Sequence, residues 1–579
     1  MKQLLRKLLG LLLALFMGTP ALNATANTGN PVPANVSESR IYVDGREARL
    51  TGFTIGGSTY FKLRDVAEAL SETPSGFDVI WNAKGNAVEF ITDKPYTEQK
   101  SGAYTYYYAP SIEYTAQPGT SKLIVDGEPV APIAYVIDGS NYFKLRDLGA
   151  YAHFDVEFSE ESDEIHIYSR LPENAHRVKA AGNVADNILT PYYPRWQSPL
   201  TSNLIRNDDG TFSVIEANDE IVIDTYDEDF QLISSKKIPP ELPLFGGFYS
   251  GKSYHYIAYG QENPEENDEA EVIRIVRYDK EFNRIDSVSI QGGASYTTIP
   301  FAHGSGRMAE SGNTLVFHTS RQRYMTEDGL NHQSQLTIMI DTSTMSVTNS
   351  LGKFQPNHVS HSFDQYVLFD GNEHVLLDHG DAYPRSIVLQ KGNGVSYREV
   401  DMFEIPGKIG ANMTGVSVGG FAESSSHYIV AMNTIDHALV TEYTSFEMKG
   451  LERDQRDILI AAVPKNNLNG NEVKVVTIAE YIDSDKLASI PRLVRVNDDK
   501  HIVLWQEFDK FGELYSQNRR SDLKYVFLDK GGRPSGGIQT VERLALSRCN
   551  PIVIGDKVVW YAQENGIRIF YAVPLIDQA

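Results

Sequence analysis

The chain has 579 residues, and its 76 aspartates and glutamates outnumber its 53 lysines and arginines, which gives a formal net charge of -23 at pH 7. Such an excess of negative charge repels nucleic acid and anionic lipid, so the composition argues against nucleic-acid binding. Cys549 is the only cysteine, so no disulfide can form within the chain and folding must rely on buried surface.

The N-terminal residues have the pattern of a secretory signal peptide. Basic residues precede an apolar run from Leu8 to Phe16, and Ala24-Thr25-Ala26 supplies the small residues that a signal peptidase recognises. This run is shorter than the roughly 20 apolar residues that a membrane-spanning helix needs. We predict a signal peptide over residues 1–26, a linker over 27–37, and a secreted or cell-wall-associated mature chain without a transmembrane segment. A retained amphipathic anchor is the alternative.

Two segments between residues 38 and 170 repeat one another. The residues "YFKLRD" begin at Tyr60 and again at Tyr142, and the Asp-Gly pair of "IYVDGREA" recurs at the same spacing in "LIVDGEPV". Downstream, "FDVIWNAKGNAVEFIT" parallels "FDVEFSEESDEIHIYS". Each copy predicts a strand, a tight turn, a second strand, a helix and a closing hairpin.

The predicted helix of the first copy has one apolar face. Leu63, Val66, Ala67 and Leu70 recur at the spacing of an α-helix. We expect this face to pack on the sheet of the small unit.

These marks resemble the copper amine oxidase N-terminal-like domain, also called a stalk domain, which exported proteins of Gram-positive bacteria carry in tandem. The resemblance covers about residues 38–170, although Lys62 and Lys144 stand where proline is usual and Phe158 replaces the residue type of Trp81. It implies a small α+β spacer or adhesive element. It implies no copper or quinone cofactor, because Phe143 stands where the quinone-forming motif has an acid.

The remaining chain predicts a β-propeller. After a linker over residues 171–190, residues 191–579 contain short strand-like runs with closely spaced turn signals. Two types of hairpin alternate, as in "ESGNTLVFHTSR" and "VIDTYDEDFQLISSKKI". Their repetition predicts about seven four-stranded blades, with six or eight as alternatives. The predicted fold class is therefore mainly β, with small α+β tandem stalk units followed by a β-propeller. A pair of β-sandwiches is the alternative, and the repeating unit argues against it.

Histidine is concentrated in one part of the predicted propeller. Seven of the 14 histidines lie between His303 and His379, among arginines and small polar residues in stretches such as "HGSGRMAESG" and "DHGDAYPRS". Because the loops of a propeller gather at the two ends of its channel, we predict a His/Arg-rich face on the third and fourth blades.

Three chemistries fit this predicted face. Guanidinium groups bind carboxylate, sulfate or phosphate through paired hydrogen bonds, which predicts capture of an anionic ligand. The predicted ligand-binding residues are Arg307, His318, Arg321, Arg385 and His303. Nitrogen and oxygen donors also suit a transition metal, although the spacing matches no zincin motif. The candidate metal ligands are His358, His361, His379 and Asp381.

The third chemistry is acid or base catalysis by His379 beside Asp381. A structural interpretation competes with all three. In it, the same side chains are buried and form hydrogen bonds between blades. We predict that the propeller binds a cell-wall component or another extracellular anionic ligand. A hydrolase, lyase or transferase acting on such a substrate is the second hypothesis, and a purely structural wall protein is the third.

Overall fold

The computed structural model describes residues 30–97, 113–120, 122–159, 162–182, 185–451, 454–509, 522–564 and 566–575. The predicted signal peptide lies outside these residues. The chain divides into two compact units, with the boundary between Leu171 and Pro172. In the described part of the chain, no helix is long and apolar enough to cross a membrane.

The first unit combines short strands with two helices. Its strands are β1 (Val32–Val36), β2 (Arg40–Val43), β3 (Arg46–Ala48), β4 (Gly52–Ile55), β5 (Ser58–Lys62), β6 (Phe77–Asn82), β7 (Ala87–Thr92), β8 (Tyr114–Pro118), β9 (Lys122–Val125), β10 (Glu128–Val130), β11 (Ala134–Ile137), β12 (Ser140–Lys144), β13 (Asp155–Ser159) and β14 (Glu164–Tyr168). Its helices are α1 (Leu63–Leu70) and α2 (Leu145–Ala152).

The two "YFKLRD" segments meet inside a closed barrel with the strand order β1-β4-β5-β12-β11-β8. Strands β5 and β12 pair antiparallel with Phe61 opposite Phe143, so the two copies are related by a local two-fold arrangement. Each segment starts as strand and becomes helix at its leucine. The buried residues of α1 are Leu63, Val66, Ala67 and Leu70, which confirms the predicted apolar face.

The two copies exchange strands. Strand β7 of the first copy pairs in parallel with β9 of the second, and β14 of the second copy pairs in parallel with β2 of the first. Each sheet therefore takes half of its strands from each copy, whereas the repeat pattern predicts that each copy is a unit of its own. The predicted linker over 27–37 also needs correction, because β1 joins the barrel between β4 and β8.

The aspartate of each Val-Asp-Gly turn holds the end of a strand from the other copy. The backbone N–H of Ser169 donates to Oδ1 of Asp44 at 2.8 Å, and that of Thr92 donates to Oδ1 of Asp126 at 3.0 Å. The hydroxyl of Thr92 donates to Oδ2 of Asp126 at 2.7 Å. The repeated motif thus has a structural role in the strand exchange.

We expect Asp44→Asn and Asp126→Asn each to lower the stability of the first unit by about 1–2 kcal/mol, because each weakens two charge-assisted hydrogen bonds. Asparagine tolerates the left-handed backbone at these positions, where φ is +47°. Asp138, which also has φ +47°, is the matched control, and Asp138→Asn should change stability by a few tenths of a kcal/mol at most. Hydrogen exchange of the β5 and β12 amides measures this unit alone. Equal effects of all three substitutions would contradict the assignment.

The second unit is built from antiparallel strands. Through its first half these are β15 (Ala175–Val178), β16 (Ser202–Arg206), β17 (Phe212–Ala217), β18 (Ile221–Tyr226), β19 (Leu232–Ile238), β20 (Leu244–Ser250), β21 (His255–Gly260), β22 (Glu271–Tyr278), β23 (Arg284–Gln291), β24 (Thr297–Pro300), β25 (Gly306–Ser311), β26 (Thr314–Arg323), β27 (Gln333–Asp341) and β28 (Ser346–Val347), with the short helix α3 (Gly292–Ser295).

The strands continue as β29 (Ser360–Asp370), β30 (Glu373–Ala382), β31 (Ser386–Gly392), β32 (Tyr397–Glu404), β33 (Val416–Glu423), β34 (His427–Thr434), β35 (Glu442–Tyr443), β36 (Met448–Lys449), β37 (Asp457–Pro464), β38 (Lys474–Ala479), β39 (Lys486–Ala488), β40 (Arg492–Arg495), β41 (Lys500–Asp509), β42 (Leu523–Asp529), β43 (Pro534–Val541), β44 (Ile552–Ile554), β45 (Lys557–Glu564) and β46 (Ile567–Pro574). Two short 3-10 helices lie at His437–Leu439 and Gly470–Glu472.

Successive four-stranded meanders form the second unit. Strands β16 to β19 and β20 to β23 each form one sheet, and β24 to β32 form a nine-stranded sheet. That larger sheet consists of two meanders joined where Ser334 lies opposite Ser360. The first strands of neighbouring meanders contact one another, as β25 does with β20 and β29. This arrangement is a β-propeller and confirms the mainly β fold class.

The last sheet takes one strand from the start of the unit. Strand β15 pairs with β46, with Ala175 opposite Tyr571, and so covers an edge that would otherwise be unpaired. The predicted linker over 171–190 therefore contains a strand of the propeller, and the second unit begins at Pro172 rather than at residue 191.

A buried polar network joins the last sheet to the first. The guanidinium of Arg568 on β46 donates to Oδ2 of Asp224 at 2.7 Å and to the hydroxyl of Tyr226 at 2.6 Å, both on β18. Its Nε donates to Gln563 at 2.6 Å. These bonds lie where the ring of sheets closes.

Candidate functional site

Arg321, predicted to bind a ligand, is a buried structural residue. Its side chain is 1% exposed, and it donates hydrogen bonds to the carbonyls of Ser295 at 2.7 Å and Gly352 at 3.2 Å. Further bonds reach Gln335 and Lys353. Burial, with a smaller contribution from Arg323, lowers the pKa of Arg321 to about 9. The structure therefore does not place this guanidinium on an accessible face.

His318 is also enclosed by the protein. Its Nδ1 lies 2.9 Å from Oγ1 of Thr337, and its Nε2 lies 3.0 Å from Oδ2 of Asp378. The imidazole and the carboxylate are both fully buried. Because Thr337 and Asp378 belong to the two meanders of the nine-stranded sheet, this geometry favours a structural tie for His318 over ligand binding.

Arg385 is occupied by internal partners as well. Its guanidinium donates to Oδ1 of Asp381 and to the carbonyls of Pro406 at 3.0 Å and Met413 at 2.7 Å. The backbone N–H of Asn412 donates to the other oxygen of Asp381 at 2.9 Å. The pair holds the loop before β33 against β30.

The proposed catalytic pair of His379 and Asp381 is not supported by a direct contact. Nε2 of His379 instead lies 2.9 Å from the hydroxyl of Thr414. Burial lowers the pKa of His379 to about 3, so the imidazole is neutral at physiological pH.

Of the four candidate metal ligands, the structure brings two together. Nδ1 of His361 lies 3.3 Å from Oδ2 of Asp381. His379 bonds Thr414, and the ring of His358 packs edge-on against Phe354. Throughout the residues that the structure describes, no group of three His, Cys, Asp or Glu side chains could hold a metal ion.

Of the remaining predicted residues, Arg307 lines a cavity of about 240 Å³, which we call the channel cavity, whereas His303 is not among its lining residues. Arg307 comes from β25, Arg492 is the first residue of β40, and Arg548 shortly precedes β44. Asp364 and Tyr366 come from β29. Four different meanders thus contribute charged side chains to one small space.

The channel cavity has an excess of positive charge. Three guanidinium groups line it, with Asp364 as the only carboxylate among its lining residues. Nε of Arg307 is buried without a hydrogen-bond partner, and the guanidinium lies 5.1 Å from the centre of the Tyr366 ring. Nε of Arg492 donates a 3.3 Å bond to the carbonyl of Ser547. Burial lowers the pKa of Arg492, and the nearby guanidinium of Arg307 acts in the same direction.

Asp364 is held within the same cavity. The hydroxyl of Ser305 donates to its Oδ1 at 2.6 Å, and the backbone N–H of Gln365 donates to the same oxygen at 3.0 Å. Burial raises the pKa of Asp364, while the nearby guanidinium of Arg307 acts in the opposite direction.

Residues 188–201, which we call the channel segment, form one wall of the cavity. Ile188 pairs with Ser547 of the last meander, and the backbone N–H of Gln197 donates to the carbonyl of Phe363 at 2.9 Å. The segment therefore contacts meanders on different sides of the channel.

His303 reaches the cavity through an aromatic neighbour. Its ring centre lies 4.3 Å from that of Trp196, a residue of the channel segment that lines the cavity. The guanidinium of Arg195 lies 4.9 Å from the Trp196 ring. His303 therefore contacts a lining residue of the cavity, whereas Arg307 lines it directly.

Sequence reasoning missed Arg492, Arg548, Asp364 and Tyr366. The missed arginines occur in "IPRL" and "LSRC", and the predicted Arg307 occurs in "SGRM", each within an inner strand or a few residues before one. Comparison of equivalent positions in successive blades, rather than of histidine density, could have found them.

The topology and the cavity together define the second unit as a β-propeller with an arginine-lined channel. No protein-family model matches the chain, and no curated protein matches it. Among solved structures, BamB from Moraxella catarrhalis is 10% identical with a TM-score of 0.31, over 67% of this chain and 99% of that one. A prolyl endopeptidase is 10% identical with a TM-score of 0.36, over 65% of this chain and 48% of its own length.

A subtype N10 neuraminidase-like protein from a little yellow-shouldered bat isolate is also 10% identical, with a TM-score of 0.31, over 60% of this chain and 98% of that one. Such low identities and TM-scores assign no function to this chain.

Proposed function

We propose that the second unit is a binding protein that captures an anionic ligand in the channel cavity. The observation that carries this proposal is the convergence of Arg307, Arg492 and Arg548 on a space with one carboxylate. Guanidinium groups bind carboxylate, sulfate and phosphate through charge-assisted hydrogen bonds. The cavity places three such donors around one small space, so that a single anion can bond to more than one of them.

The volume of the cavity limits the size of the group that it can bind. Its volume of about 240 Å³ is below the roughly 300–1,000 Å³ typical of sites for drug-sized molecules. The bound group is therefore a small anion or one acidic group at the end of a larger molecule, such as a wall polymer.

The proposed propeller has seven blades. Support comes from counting the two meanders of the nine-stranded sheet separately and from the strand β15, which completes the last four-stranded sheet. The three arginines belong to the third, sixth and seventh of these blades, so they stand at unequal angles around the channel and form no symmetric ring.

The proposed setting is the outside of a bacterial cell. The signal-peptide pattern supports export, and the repeated segments of residues 38–170 support a tandem stalk unit ahead of the propeller. A cell-wall component is then the natural source of an anionic group.

The test is calorimetric titration of the mature chain with sulfate, phosphate, citrate and glucuronate. We expect at least one of these anions to bind, and Arg307→Gln and Arg492→Gln each to weaken it about 10- to 100-fold, because each lost charged hydrogen bond contributes roughly 1.5–3 kcal/mol. Glutamine keeps a polar side chain beside the buried carboxylate.

Arg206 provides the matched control for this titration. It is an exposed arginine of β16 in the same unit, so Arg206→Gln removes the same charge outside the channel. The affinity of the Arg206→Gln variant for the anion should equal that of the parent protein. Failure of all four anions to bind, or an equal loss in the control, would refute the proposal.

Catalysis on the bound anion is the second candidate function. Asp364 favours it, because this carboxyl lines the cavity and burial raises its pKa, as is common for a general acid. Product release from an acidic glycoside or sulfate ester would favour this candidate over binding alone.

A further inference from the structure

The first unit contains a groove unrelated to the channel cavity. Its volume is about 480 Å³, and it lies between the closing hairpin of the first copy and the β11–β12 hairpin of the second. We call it the Trp81 groove. The side chains that matter for its chemistry are Trp81, Val88, Lys62, Arg64, Ser140 and Asn141.

An exposed indole forms one wall of the Trp81 groove. Trp81 is 44% exposed although it is a large apolar residue, and Val79 and Val88 beside it are each 5% exposed. Ser140 and Asn141 supply a hydroxyl and an amide on the facing hairpin. A flat apolar wall opposite a few polar groups is typical of a site for a ring-shaped ligand with polar edges.

The local two-fold arrangement provides an internal comparison. The position equivalent to Trp81 is Phe158, and the position equivalent to Asn141 is Thr59. Phe158 is 45% exposed, nearly the same as Trp81, so the surroundings do not demand the larger ring. The backbone frame is repeated, but the indole and the amide occur together on one side only.

The charge of the Trp81 groove indicates the ligand. Lys62 and Arg64 line it, and no aspartate or glutamate is among its lining residues. The nearest carboxylate on the same segment is that of Asp65, 3.6 Å from Nζ of Lys62. In a chain with a net charge of -23, two cationic side chains on a groove whose lining residues include no carboxylate favour an acidic ligand.

We propose that the Trp81 groove binds an acidic sugar residue of a glycan. The C–H face of the pyranose ring packs on the indole of Trp81, and ring hydroxyls bond the side chains of Ser140 and Asn141. The carboxylate of the sugar lies toward Lys62 and Arg64. The first unit would then hold an acidic polysaccharide independently of the propeller.

The experiment is a calorimetric titration of the full mature chain with trigalacturonic acid and, as an uncharged probe, with cellotriose. Trigalacturonic acid should bind, and cellotriose should bind at least ten-fold more weakly. Trp81→Ala should weaken binding of the acid at least ten-fold, and Asn141→Thr, which installs the residue of the other copy, should weaken it several-fold. Phe158→Ala is the matched control and should leave affinity unchanged.

Binding at the channel is separated from binding at the Trp81 groove by the double variant Arg307→Gln/Arg492→Gln. This variant should retain the Trp81-dependent affinity for trigalacturonic acid. The proposal is overturned if Trp81→Ala binds like the parent, if Phe158→Ala shows the same loss, or if the two trisaccharides bind equally or not at all. Because Trp81 is partly exposed, its replacement should leave the hydrogen exchange of the barrel strands unchanged, which verifies folding.

Discussion

Replacement of Arg568 by methionine is expected to destabilise the second unit by about 3–5 kcal/mol, because it leaves the carboxylate of Asp224 buried without a counter-charge. The two side chains are 3% and 1% exposed, and Nη1 of Arg568 lies 2.7 Å from Oδ2 of Asp224. The same substitution removes bonds to Tyr226 and Gln563. We therefore expect the contact between the last and the first sheet, which we call the closure seam, to separate first.

The matched control for Arg568 is an ion pair at the surface of the first blade. Nζ of Lys237 lies 2.9 Å from Oε2 of Glu220, with side chains that are 55% and 49% exposed. Lys237→Met should change stability by less than about 1 kcal/mol. The double variant Arg568→Met/Asp224→Leu should recover part of the loss, since no lone charge remains buried. Equal midpoints of urea unfolding for the Arg568 and Lys237 variants would contradict a stabilising role for the buried ion pair between the last and the first sheet.

Acidification is expected to destabilise the second unit steeply between about pH 6.5 and pH 4. Burial lowers the pKa of His255, His358, His374 and His437 from the ordinary value of 6.5 to about 4. Because these groups bind protons more tightly when unfolded, stability is full above pH 6.5 and is lost as the pH falls toward 4. Each histidine contributes about 1.4 kcal/mol per pH unit within this window.

Two buried carboxyl groups act in the opposite direction. Burial raises the pKa values of Glu216 and Asp364, so their contribution favours the folded state on acidification. The histidines outnumber them, and the net effect should be a falling unfolding temperature in calorimetry from pH 7 to pH 4.5. His374→Gln should reduce the number of protons taken up on unfolding by about one, which makes the free energy of unfolding depend less steeply on pH. An unfolding temperature that stays constant or rises over this range would contradict the burial of neutral histidines.

Local patterns in the sequence predict much of this fold. The apolar spacing of Leu63, Val66, Ala67 and Leu70 predicts helix α1, and the repeated hairpins predict the meanders of the propeller, because both depend on neighbouring residues. The exchange of β7 and β9 between the copies could not be predicted, because the local pattern is the same whichever copy a strand pairs with. Strand β15 was missed since its sequence "AHRV" has little apolar alternation.

The candidate site was harder to predict than the fold. A high density of histidine and arginine led to His318, Arg321 and Arg385, but all three are buried, and buried polar side chains generally hydrogen-bond to other groups of the protein. Arg307 was predicted because it lies among the clustered histidines, whereas Arg492 was not, because it lies far along the chain from them. Only closure of the ring brings such positions into one cavity, so their proximity is a property of the tertiary fold.

The most direct test of anion capture is a crystal of the mature protein soaked in selenate and measured at the selenium absorption edge. Selenate has the shape and charge of sulfate, and its anomalous signal identifies it without ambiguity. We predict an ordered selenate in the channel cavity, bonded by Arg307, Arg492 and Arg548, and its loss in Arg307→Gln/Arg492→Gln. Selenate bound only elsewhere, with water filling the channel cavity, would contradict anion capture by the propeller.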